Sequence, residues 1–159
     1  MLACQLSSGN QAPVDNVPEP LIQILEELDS LDRVERAQYL LEMSDDFEEV
    51  PEEIATRPFP ENRRVPKCES EAFIWAQDRD DGTLKFHYAV ENPLGISARA
   101  MSVILDETMS GQPLDQVASV PPDIVHRIFG RQLSMGKGEG LAAMVELTSF
   151  EARQKLRGR

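Results

Sequence analysis

Cysteine is scarce in this 159-residue chain: Cys4 and Cys68 are the only two. Two thiols far apart in sequence do not make the dense disulfide framework of a small secreted domain, and they fall short of the three or four ligands of a zinc site. Basic residues are also short, with 16 Lys and Arg against 28 Asp and Glu for a net charge of −12. Such a chain is repelled by phosphate backbones and anionic lipid surfaces, which argues against nucleic-acid or membrane binding and for a basic protein partner. No run reaches the roughly 18 apolar residues of a membrane span. Leu2-Ala3-Cys4 follows no charged and apolar leader, so no secretory or lipoprotein signal is expected, and a reducing, cytoplasmic setting is. Only two histidines occur, His87 and His126; each reads as a surface or packing residue rather than a ligand.

What is present suits one domain with a real core, at 41% hydrophobic residues. The acidic surplus is N-terminal: residues 1–62 carry 15 acids and 3 bases, residues 63–159 carry 13 of each. Residues 1–16 are polar and aperiodic and read as a loose leader, leaving 17–159 as the domain. Leu21, Leu25 and Leu28 behind Pro18 and Pro20 predict a helix of about three turns. Asp32 reads as the N-cap of a second helix, with Glu35 completing a capping box and Val34, Ala37, Leu40 and Leu41 as the buried stripe. From Ser44 to Asn62 the acids Asp45, Asp46, Glu48 and Glu49 and three prolines predict a loop, solvated or able to steer a basic partner.

Two strands follow, Ala72 to Gln77 and Leu84 to Val90, joined by a turn at Asp80-Asp81-Gly82. The second alternates Leu84, Phe86, Tyr88 and Val90 on one face with Lys85, His87 and Ala89 on the other. Phe73 and Trp75 read as core. Beyond Pro93 the period is helical again: Met101, Ile104, Leu105, Thr108 and Met109 share a face before Gly111, Ile124 to Phe129 form a short helix closed by Gly130, and a last helix runs from about Glu139 to Leu156. The class is α+β, a small antiparallel sheet flanked by N-terminal and C-terminal helices.

The segment richest in chemistry is Arg63-Arg64-Val65-Pro66-Lys67-Cys68-Glu69-Ser70-Glu71. A thiol is nucleophilic only as its anion, and three cations within five positions of Cys68 favour that anion. The bland reading is a cysteine packed as a small hydrophobe among solvated charges. Gly136-Lys137-Gly138-Glu139-Gly140 is not a nucleotide loop, because no strand precedes it and no Lys-Ser/Thr pair ends it; flexibility at a helix start accounts for its glycines.

Val65-Pro66-Lys67-Cys68-Glu69-Ser70-Glu71 and the strand after it resemble the Arg-Val-x-Gly-Cys-x-Ser-x-Val-Trp signature of the SufE/CsdE family. Leu133 to Met144 resembles that family's Leu-x-x-x-Arg-x-x-Gly-Leu-x-x-Met. The order of helices and hairpin agrees from about Leu21 to Gln154. The resemblance implies a SufE/NifU-like fold and a sulfur acceptor of iron–sulfur cluster assembly, an accessory to an enzyme rather than an enzyme alone. Cys68 would take persulfide sulfur from a PLP-dependent cysteine desulfurase of the SufS/CsdA type, stimulate it, and pass the sulfur to a SufBCD-like scaffold, with no metal or cofactor of its own. The resting thiol would be shielded by apolar neighbours.

Arg64, Lys67, Arg99 and Lys137 are the supporting cations on this reading. Lys67 stands where the family has glycine, and a Cβ disfavours positive φ, so the sequence predicts altered loop-tip geometry. Lys137 replaces an arginine and loses its fork. Glu91-Asn92-Pro93 replaces an Asp-Ser-Asp pattern. The alternative function is a non-catalytic adaptor that docks a basic partner and keeps Cys68 only for packing; a cluster scaffold is remote, since one thiol cannot supply four ligands.

Overall fold

The computed structural model describes residues 16–131 and 133–158. Cys4 and nearly all of the expected leader lie outside them. The chain forms helices α1 (Glu19–Asp29) and α2 (Arg33–Asp45), strands β1 (Ala72–Asp78) and β2 (Leu84–Val90), then helices α3 (Ile96–Met109), α4 (Leu114–Ala118), α5 (Ile124–Phe129) and α6 (Met135–Leu156). Among the described residues no helix is long and apolar enough to cross a membrane.

The two strands pair antiparallel in the register Ala72 to Val90 through Asp78 to Leu84. A lone hairpin is marginal in water, so its stability comes from what covers it. Ile74, Phe86, Tyr88 and Val90 face the main core with Met101, Ile104, Leu105, Met144 and Val145 of α3 and α6. Tyr88 is fully buried, and burial pushes its phenol well above the usual range. Thr148 donates its only hydroxyl proton to the Met144 carbonyl at 2.9 Å. Tyr88 is therefore the donor in the 2.8 Å bond to Thr148, which ties β2 to α6.

The other sheet face is less open than its Lys85, His87 and Ala89 pattern predicts. The acidic and proline-rich loop after α2 folds over it: Val50 N–H donates to Tyr88 O at 2.9 Å, and Phe59 packs on Phe73 and Trp75 with ring centroids 5.2 and 5.1 Å away. Val50, Phe59, Phe73, Trp75 and Ala89 make a second small core there.

Asp32 caps α2 as expected, accepting from Glu35 N–H at 2.8 Å, and the Glu35 carboxylate returns the bond to Asp32 N–H at 2.9 Å. Of the expected stripe Leu40 is buried, and the other three residues are a correction. Val34 is 78% exposed and Leu41 43%, and Ala37 is exposed with them. The helix turns Ser44 inward with Leu40, and Arg36, Tyr39 and Met43 lie half-buried beside them. Arg36 explains the rotation, because its guanidinium donates to Leu28 O at the end of α1 and to Arg127 O and Ile128 O at the end of α5. It ties two helix C-termini together, adding to the Leu31 N–H bond that Leu28 O already accepts.

Replacing Arg36 by alanine should lower the free energy of urea unfolding by about 2 to 3 kcal/mol, the scale of charged hydrogen bonds lost from half-buried carbonyls. Val34→Ser should change it by no more than about 0.5 kcal/mol. A loss from Val34→Ser as large as that from Arg36→Ala would return Val34 to the core.

Candidate functional site

Cys68 lies at the tip of a loop closed by main-chain pairing. Arg64 bridges Phe73 antiparallel, and Val65 N–H donates to Ala72 O at 2.8 Å, so residues 66–71 double back at the entrance of β1. Within the loop Glu71 N–H donates to Cys68 O at 3.0 Å, and Glu91 and Asn92 donate to the Glu71 and Ser70 carbonyls at 3.1 Å each. Lys67 and Glu71 bracket the tip in the left-handed region, at φ 62° and 56°. Lys67 thus adopts a left-handed conformation despite its Cβ, which on sequence grounds disfavours one. A non-glycine residue there costs about 1 to 2 kcal/mol, which the four loop hydrogen bonds, at about 0.5 to 1.5 kcal/mol each, offset.

The cysteine backbone rests on α6. A Cβ added to Gly140 would stand 2.9 Å from both Cys68 Cα and Lys67 O, so this glycine is required for close approach. Gly95 plays the same part opposite, where a Cβ would meet Ser70 Oγ at 2.8 Å. α6 begins at Met135, one turn before the expected Glu139, because Ser134 accepts from Lys137 N–H at 3.2 Å as its N-cap. The glycine-rich run is therefore helical, and Gly140 serves packing rather than flexibility.

Between these contacts opens a cleft of about 150 Å³. Cys68, Glu69 and Ser70 form one wall, residues 94–98 leading into α3 a second, and Gly136, Lys137, Gly140 and Leu141 a third. Cys68 is half-buried and packs against the main core. Of the cations expected to serve it, Lys137 alone lines the cleft. Lys67 is exposed beside it in the chain. Arg64 turns away to Glu61 at 3.1 Å and Glu71 at 3.4 Å, over the Phe73 ring, and Arg63 pairs with Glu151 at 3.3 Å. Arg99 lies over the Phe47 ring, 5.4 Å from its centroid, and reaches Val90 O at 3.5 Å. The two arginines of the crowd of cations read from the sequence are thus drawn off onto carboxylates and an aromatic face. Leu94, Gly95 and Ile96 join the site without having been singled out, since only the fold brings the turn before α3 to the loop.

The acidic run takes a separate place. Asp46, Glu48 and Glu49 line a groove of about 300 Å³ with Asp106 and Glu107, sharing no residue with the Cys68 cleft. Lys85 binds both Asp106 oxygens at 2.7 and 2.8 Å. Desolvation, then the charges of Asp46 and Asp106, hold Glu107 above the usual carboxylate range. Among the described residues no group of three or more His, Cys, Asp or Glu is placed to hold a metal ion.

Two expectations follow from this geometry. Gly138 has nothing within 4 Å of an added Cβ, so Gly138→Ala should stabilise the helix by up to about 1 kcal/mol. Gly140→Ala should instead destabilise by about 1 to 3 kcal/mol through overpacking and speed alkylation of Cys68 by iodoacetamide. Stabilisation by both changes would remove the contact with the loop. As for Glu107, its raised pKa means that the native state binds this proton more tightly than the unfolded chain, so ionisation near pH 7 lowers stability. Glu107→Gln should raise Tm at pH 7, and the gain should fade as pH falls through the raised value to about 4, near the ordinary value; a gain of equal size at both pH values would refute the assignment.

Comparison with known proteins agrees with this fold. The solution structure of a hypothetical protein from Thermus thermophilus superposes with a TM-score of 0.69 at 26% identity, covering 89% of this chain and 99% of that one. No curated protein matches the chain. The family model SufE, described as the Fe-S metabolism associated domain, matches residues 22–152. That span holds both the Cys68 loop and the α6 segment that supports it, and the chain belongs to the SufE family.

Proposed function

We propose that this protein is a cytoplasmic sulfur carrier that accepts a sulfane atom on Cys68 from a PLP-dependent cysteine desulfurase, stimulates that enzyme by emptying it, and delivers the sulfur to a SufBCD-like assembly scaffold. Membership of a family associated with Fe-S metabolism supports the general role. The observation that carries the finer reading is the half-buried thiol at the mouth of a cleft, on a loop tip held by backbone pairing rather than within an element.

The chemistry needs one nucleophile. The Cys68 thiolate attacks the outer sulfur of the donor's cysteine persulfide, a new S–S bond forms at Cys68, the donor's S–S bond breaks, and the donor leaves as a thiolate. Oxidation states balance, because the sulfane sulfur and its proton move together from one cysteine to the other. The Cys68 thiolate is generated by loss of its proton to solvent, and the departing donor thiolate can take one up. Lys137 on the cleft wall supplies a cation where the attacking thiolate and the departing donor thiolate meet. Core packing on one side of Cys68 limits approach by solutes, which protects a persulfide from oxidants.

Cys68→Ser should abolish sulfur acceptance with folding intact, and Cys4→Ser should affect neither. Intact-mass spectrometry after incubation with the organism's own cysteine desulfurase and cysteine should show a gain of about 32 Da per transferred sulfur on the wild type and on Cys4→Ser. Docking without any mass gain would favour the non-catalytic adaptor with a packing cysteine.

A further inference from the structure

Seven large apolar side chains are exposed among the described residues; two of them line the Cys68 cleft and a third adjoins its wall in the chain. Leu94, 82% exposed, and Ile96, 46% exposed, line the Cys68 cleft, while Met135, 81% exposed, directly precedes Gly136 on its third wall. They come from the turn before α3, the first residue of α3 and the first residue of α6. The other four are spread over α2 and the C-terminal half of α6, where Phe150 has the Arg153 guanidinium 5.9 Å from its ring centroid.

Leu94 is held out by its turn rather than left loose. Its N–H donates to Asn92 Oδ1 at 2.9 Å, Gly95 N–H donates to Asn92 O and Ile96 N–H to Leu94 O at 2.9 Å each. The turn directly follows Glu91-Asn92-Pro93, which replaces the Asp-Ser-Asp pattern of the resembled family and keeps one acid of its two. The charged neighbours along the chain are mixed, with Lys67 and Lys137 against Glu69 and Glu139, all exposed or half-buried. No single sign dominates that could steer a charged partner.

We propose that Leu94, Ile96 and Met135 form an apolar collar that docks the sulfur donor through an equally apolar margin around its persulfide-bearing cysteine. The inference rests on the sulfur-acceptor reading and adds what the partner's surface must be. A second copy of this chain is the poorer occupant: three side chains fall well short of the roughly 800 Å² per partner of a stable interface, and a small apolar contact fits the brief encounters of a carrier. Such a collar also sheds water from the cleft as it closes, at the moment when the thiolate must meet the sulfane sulfur.

Titration calorimetry of the full chain against the organism's own cysteine desulfurase tests this without requiring transfer. The double variant Leu94→Gln with Met135→Gln should raise Kd at least about tenfold. Leu156→Gln, a loss of exposed apolar surface elsewhere, should leave Kd unchanged and alkylate Cys68 at the wild-type rate, and the double variant should keep the wild-type circular dichroism spectrum and Tm. Wild-type Kd should also hold from about 0.1 to 1 M salt, over which charge pairing is screened away. An unaltered Kd in the double variant, a steep loss of affinity with salt, or no binding by the wild type would each overturn the collar. Sedimentation showing a wild-type dimer that the double variant lacks would give the surface to a second copy instead. Binding that the double variant loses, with no mass gain on Cys68, would keep the collar and sink the sulfur-acceptor reading.

Discussion

The contact on which this site depends is made by an absent atom. Gly140 has no Cβ, and the carbonyl of Lys67 and the Cα of Cys68 occupy the space that one would fill. Because α6 is a 22-residue helix anchored by Met144, Val145 and Thr148 in the core, it offers the loop a wall that does not yield. The cysteine tip is then fixed between that wall, the Gly95 contact with Ser70, and the pairing of residues 64–65 with β1. Two left-handed residues, Lys67 and Glu71, are the cost of so sharp a tip.

This arrangement separates reactivity from charge. The arginines nearest Cys68 in sequence are committed to structure, Arg64 with two glutamates and Phe73, Arg63 with Glu151. What faces the cleft is instead a mixture of apolar and small side chains, with Lys137 and Glu69 as its opposed charges. The strong acidic surplus sits apart, partly neutralised by Lys85 and Arg57 in a groove of its own. In the proposed carrier role, one surface is kept for a nearly neutral, apolar encounter while the net charge of −12 keeps the molecule dispersed.

Most of the architecture was legible because local signals and global packing agree. The leucines of α1, the capping box of α2, the alternation of β2 and the glycines closing α3 and α5 each mark an element that the structure contains. Where periodicity misled, a long-range polar contact decided: Val34, Ala37 and Leu41 satisfy a helical stripe, yet Arg36 must reach the ends of α1 and α5, and that turns the stripe outward. The loop after α2 looked idle because its apolar residues, Val50 and Phe59, are isolated in sequence and find partners only on the sheet.

By itself the sequence determined the class, the family resemblance and the one cysteine worth attention, since these rest on residue types and short spacings. The tertiary structure alone decided which cations stand near that cysteine, why Gly140 must be glycine, and which apolar side chains surround the cleft. The physical reason is distance: hydrophobic periodicity and capping act over a few residues, whereas Leu94, Lys137 and Gly140 join Cys68 only after the chain has packed α3 and α6 against one hairpin.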